Sequence, residues 1–122
     1  HLAARGVRGD GPAIAGLSSE AAFCSVEALI QDGAFLDLPV GYVSNLRMDN
    51  CARMAELGDL PVLLRHGLAD DFIVPEHAEL LRKQGGAGLT VELIEGANHS
   101  NIPVLMGDRY LGGLHNLVER VP

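Results

Sequence analysis

Basic residues are scarce in this sequence: nine Lys plus Arg stand against sixteen Asp plus Glu in 122 residues, a formal charge of −7. The nine are scattered, and a phosphate backbone is bound chiefly by clustered cations, so the composition excludes nucleic acid as a partner class. Cysteine is almost absent. Cys24 and Cys51 form no C-x-x-C pair and belong to no His/Cys cluster at structural zinc spacing, which argues against a disulfide scaffold or a metal knuckle. Two buried, reduced thiols are the expectation. Long hydrophobic runs are missing too. Val62-Leu63-Leu64 and Ile102-Pro103-Val104-Leu105-Met106 fall far short of the roughly 20 residues that a spanning helix needs, so no membrane span is expected. A targeting segment would lie upstream of His1, which leaves the compartment open, with the cytoplasm favoured.

Hydrophobic residues make up 48% of the chain, enough for the core of one modest domain. His1-Leu2-Ala3-Ala4-Arg5 before Gly6 reads as the last turns of a helix, so the chain begins inside an element. Ala13-Ile14-Ala15-Gly16-Leu17 reads as a short buried strand. Ser25 is placed to cap a helix running to Ile30, and residues 33–45 read as an irregular connection. Asp49 is placed to cap a helix from Asn50 to Leu57, stopped by Gly58, with Cys51, Met54 and Leu57 at helical spacing.

The second half is more legible. Pro61 to Arg65 predicts a strand leading into the polar loop His66-Gly67-Leu68-Ala69-Asp70-Asp71. Pro75 opens a helix that runs to Gln84, with Glu76 in its first turn, where the helix dipole favours an anion. Leu89 to Ile94 predicts a second strand, followed by the loop Glu95-Gly96-Ala97-Asn98-His99-Ser100. A last helix spans Asp108 to Val121 and carries Leu111, Leu114, Leu117, Val118 and Val121 as its apolar stripe. Strands alternating with helices in this order predict an α/β fold with a parallel sheet and right-handed crossovers.

In open parallel sheets, ligands bind beyond the carboxyl ends of the strands, and here those ends present Asp70 and His99. A carboxylate hydrogen-bonded to one imidazole nitrogen fixes the tautomer, so that the other nitrogen can take and return a proton. The bland readings stand beside this one. Asp70 can be a turn or cap residue, Asp71 is its rival for either role, and His99 can be a plain loop residue.

The run from Pro61 to Phe72 resembles the α/β-hydrolase pattern in which a buried strand ends in H-G-x-x-D. Gly96-Ala97-Asn98-His99 is similar to that family's G-x-x-H loop after the last strand, and the acid precedes the histidine, as in the family. Together the resemblance covers about Pro12 to Val121 and points to the serine-aminopeptidase-like and esterase-like branch. It implies the C-terminal portion of a doubly wound, mostly parallel sheet. Residues 1–26 would be the end of the elbow helix and the sixth-strand region, 27–58 a cap-like insertion, and 59–122 the last two strands with their loops and terminal helix. It also implies catalytic roles for Asp70 as the acid and His99 as the base, and a small ester, thioester or amide as substrate. Ser19-Glu20-Ala21-Ala22-Phe23-Cys24-Ser25 resembles the family's E-S-P-F-T-S segment, with Ala21 and Ala22 in place of Ser and Pro at the wall of the site. His66 resembles a strand-end histidine with a structural role. Leu29, Phe35, Leu36, Tyr42 and Met48 of the insertion either line the pocket or belong to the core, and the core is the better prior for each.

The family's nucleophile motif, G-x-S-x-G, does not occur. Gly16-Leu17-Ser18-Ser19-Glu20 puts Glu where the tight turn needs its second Gly, which rejects Ser18 and Ser19. The resemblance therefore implies a serine and an oxyanion hole outside this chain, in a missing N-terminal half of the same domain, and a chain that is inactive alone. The alternative is an inactive fragment or degenerate relative acting as an interaction module through an unpaired sheet edge. A metal site from Asp70, Asp71 and His99 has no H-x-x-x-H or comparable spacing behind it, so neither metal nor cofactor is expected.

Overall fold

The computed structural model describes residue 9 and residues 13–31 and 49–121. Three parallel strands organise them: β1 (Leu17–Glu20), β2 (Val62–Gly67) and β3 (Leu89–Ile94), side by side in that order. Between β1 and β2 lie α1 (Val26–Gln31) and α2 (Asn50–Ala55), between β2 and β3 lies α3 (Glu76–Gln84), and after β3 come α4 (Ile102–Met106) and α5 (Asp108–Arg120). The chain is thus α/β.

β2 is central because its sequence suits burial on both faces, and all six of its residues are buried. Val62 and Leu64 pack on one side with Met54, Leu57, Ala78 and Leu81, which brings α2 and α3 onto that face. Each such side chain taken out of water contributes roughly 1.5–3 kcal/mol, which makes this cluster the chief apolar support of the sheet. On the other face, Arg65 meets the backbone of α5 at Tyr110 and Gly113. Caps confirm two helix starts: Ser25 Oγ accepts from the Ala28 N–H at 3.1 Å, and Asp49 Oδ1 accepts from the Ala52 N–H at 2.8 Å.

Several expectations are corrected. The first strand begins at Leu17 rather than Ala13, because pairing starts where the Leu17 N–H reaches the Pro61 carbonyl at 2.9 Å. Ser18 and Ser19 therefore lie within β1. β2 continues through His66 and Gly67, which sequence reading assigned to the loop, because both pair with Leu93 and Ile94 of β3. Leu57 lies in a turn beyond α2, and α4 is an added element. On α5, Leu117 is buried and Leu114 and Val121 are half-buried, while Leu111 and Val118 are 69% and 67% exposed. The inward stripe runs through Tyr110, Gly113, Leu114, Leu117 and Val121. Gly113 is part of it because a Cβ there would lie 2.2 Å from Arg65 Nη2.

The cysteines are also corrected: Cys24 and Cys51 form a disulfide, and neither is fully buried. Their Cα atoms are 4.8 Å apart, within the usual reach of a disulfide, because the Cys51 N–H donates to the Cys24 carbonyl at 2.9 Å. Sequence spacing carries no trace of that approach. The helix end expected at His1 to Arg5 and the connection over 33–45 lie outside the described residues.

Candidate active site

Two loops meet beyond the carboxyl ends of β2 and β3, and two glycines let them do so. Gly67 is the close-approach position: a Cβ there would lie 2.2 Å from the Ala97 carbonyl oxygen. With no side chain in the way, the Leu68 N–H reaches the Ile94 carbonyl at 3.0 Å and the Ala69 N–H reaches the Ala97 carbonyl at 2.9 Å. Gly96 turns the second loop at φ +76°, a backbone region that glycine enters at little cost. The glycines of both sequence motifs thus have a steric reason.

This junction brings Asp70 and His99 together, with His99 Nδ1 3.0 Å from Asp70 Oδ2. The Asp70 side chain is wholly buried, whereas that of His99 is 39% exposed. Asp70 Oδ1 accepts the backbone N–H groups of Phe72 at 3.0 Å and Ile73 at 2.9 Å. Burial by itself raises the carboxyl pKa. The Ile73 N–H, the His99 side chain and the Phe72 N–H outweigh it, and the pKa is lowered overall. Asp70 is therefore an anion that can only accept, so the shared proton belongs to His99 Nδ1.

His66 takes the opposite tautomer. Its Nε2 is 2.6 Å from the Ile73 carbonyl, which only accepts, so Nε2 carries the proton and Nδ1 is a buried nitrogen with no hydrogen-bond partner among the described residues. Nε2 also lies 3.5 Å from Asp70 Oδ2. His66 thus braces the backbone that wraps Asp70. His77, in the first turn of α3, accepts the Cys24 N–H through Nδ1 at 3.0 Å, which ties the disulfide segment to the helix that follows this loop.

Three residues of the site escaped sequence reading. Asn98 Oδ1 accepts the N–H groups of Ser100 and Asn101, at 2.8 and 3.1 Å, and Asn101 Oδ1 accepts the Asn98 N–H at 2.7 Å. This reciprocal pair closes the backbone around His99 in the manner of local Asx turns. Its signal was present in the spacing of the two asparagines around the histidine. Phe72, 55% exposed, places its ring centroid 5.0 Å from that of His99 at a tilt of 57°. Asp71 is exposed, and the described residues contain no group of three or more His, Cys, Asp or Glu placed to hold a metal, so Asp70, Asp71 and His99 do not form one. Leu29 is buried in the core, while Phe35, Leu36, Tyr42 and Met48 lie outside the described residues.

Behind the junction, Glu20, Arg65 and Glu92 occupy one row across β1, β2 and β3. Arg65 is fully buried, its Nε donating to Glu92 at 2.8 Å and its Nη2 to the Tyr110 carbonyl at 2.8 Å, with the guanidinium 4.6 Å from the Tyr110 ring centre. The hydrogen bond to Glu20, together with burial, raises the Tyr110 phenol pKa. A groove of about 760 Å³ between β3 and α5, lined in part by Glu92, Glu95, Arg109 and Asn116, includes neither Asp70 nor His99. No helix among the described residues is long and apolar enough to cross a membrane. Compared with models of protein families and with curated proteins, the sequence matches none.

Proposed function

We propose that this chain supplies the acid and the base of a serine hydrolase of the α/β-hydrolase kind, acting on a small ester, thioester or amide. The observation that carries the reading is the Asp70–His99 hydrogen bond, in which a buried carboxylate holds Nδ1 of a ring whose side chain is 39% exposed. The serine would come from an N-terminal half of the same domain, since no G-x-S-x-G occurs in these 122 residues. The three-stranded parallel sheet would be the C-terminal portion of the larger doubly wound sheet.

His99 Nε2 would take the proton of the serine hydroxyl as its oxygen attacks the acyl carbon. Asp70 would stabilise the imidazolium formed in that step, without taking up a proton itself. The imidazolium would then protonate the departing alkoxide, thiolate or amine, and water would release the acyl group by the same two transfers. The test is labelling by a fluorophosphonate, comparing this chain alone with a protein extended upstream in its reading frame. Labelling of the longer form alone, lost on denaturation, is the expected result. A longer form that folds and stays unlabelled overturns the reading and favours an interaction module.

A further inference from the structure

Phe72 is a large apolar side chain left more than half exposed, and its ring contact is with His99. A lone surface aromatic needs no explanation in itself. Here its place is fixed by the site, because its backbone N–H donates to Asp70 Oδ1 while His99 Nδ1 donates to Oδ2 of the same carboxylate. One anchored anion therefore holds the Phe72 backbone and the His99 ring, and the centroid spacing of the two rings, 5.0 Å, falls in the roughly 4.5–7 Å range of attractive tilted pairs. The imidazole needs such a neighbour. It is 39% exposed, and its hydrogen bond to Asp70 engages only Nδ1 of the ring.

We infer that Phe72 is a positioning residue, whose ring walls one side of the His99 imidazole and holds Nε2 in a single orientation. The inference deepens the acid–base reading of Asp70 and His99 and rests on it. Side-chain substitution isolates the ring, because the Phe72 N–H to Asp70 belongs to the backbone and survives.

The experiment measures ester hydrolysis by the upstream-extended protein carrying Phe72→Ala or Phe72→Trp, with melting temperature and ¹⁵N-resolved histidine spectra alongside. Phe72→Ala is expected to lower kcat about tenfold to a hundredfold, the scale on which misplacement of a reacting group acts, with KM changed less than about twofold. Its melting temperature is expected to match that of the parent, and Phe72→Trp is expected to restore kcat. Unchanged kcat in Phe72→Ala, while His99→Ala abolishes turnover, overturns the inference and leaves the acid–base reading standing. If the parent itself shows no turnover, that reading has failed, and the spectra still decide the orienting role. Broadened or averaged His99 ring signals in Phe72→Ala, sharp again in Phe72→Trp, uphold it, and identical spectra in all three overturn it.

Discussion

Two groups of charge, one within the strands and one on the loops beyond their carboxyl ends, differ in how open they are. In the Glu20–Arg65–Glu92 row a fully buried guanidinium meets the Glu92 carboxylate, the Tyr110 carbonyl and the Tyr110 ring, and α5 packs against it. At the strand ends, Asp70 is buried just as deeply, but its partner His99 is 39% exposed and has one nitrogen directed away from the carboxylate. The first arrangement holds elements together. The second leaves one partner of a buried charge partly open to the surface, as the proposed acid–base role requires.

The sharpest way to break this comparison is to substitute one member of each group. His99→Ala is expected to lower the turnover of the upstream-extended protein by about 10⁴-fold, as loss of a triad member does, and to cost about 1–3 kcal/mol of stability because the buried Asp70 Oδ2 loses its donor. Arg65→Met is expected to lower stability and spare turnover. It leaves Glu92 without its cation and costs about 3 kcal/mol in urea unfolding, less than a fully enclosed pair because Glu92 is 33% exposed, while turnover per folded molecule stays within about twofold. If Arg65→Met abolishes turnover in folded protein, the division between the two groups fails.

Reduction of Cys24–Cys51 ranks next. The bond spans 27 positions, and opening a loop of that length lowers stability by about 3–4 kcal/mol on the chain-entropy account, read as a shift of the urea midpoint with and without a dithiol. The comparison is sharpened if the Asp70–His99 bond persists in the reduced, folded chain.

Acid probes the Asp70 end of the open pair. The Asp70 pKa is lowered on folding, so its contribution is present above the ordinary carboxylate pKa of about 4 and is lost as pH falls through the lower folded value. Unfolding measured across that window is expected to show a slope that Asp70→Asn flattens. The smallest effect is expected on α5, where Val118→Gln should stay within about 0.5 kcal/mol while Leu117→Ala costs about 2–3 kcal/mol.

Where composition and local pattern act alone, the sequence was legible. β3 keeps the expected bounds, the helix from Glu76 to Gln84 stands where Pro75 and its first-turn acid point, and Asp49 and Ser25 cap as their chemistry suggests. What failed depends on a partner. β1 is set by the register of β2, not by its own apolarity, and the outward turn of Leu111 and Val118 follows from a glycine that yields space to Arg65. The disulfide depends on backbone contact between residues far apart in sequence, which spacing cannot express. Within the candidate site, the meeting of Asp70 and His99 was legible from two loops at adjacent strand ends. The contribution of Phe72 was not, because ring-to-ring contact across loops has no period or motif.

The central claim is that Asp70 fixes the His99 proton on Nδ1 and leaves Nε2 free to act. Long-range ¹H–¹⁵N correlation of the ¹⁵N-labelled chain, at a pH of about 8 where an ordinary imidazole is neutral, reads that tautomer directly. A protonated Nδ1 and an unprotonated Nε2 in His99, lost in Asp70→Ala, is the expected result. A proton on Nε2, or a mixed tautomer indifferent to Asp70→Ala, would contradict the account.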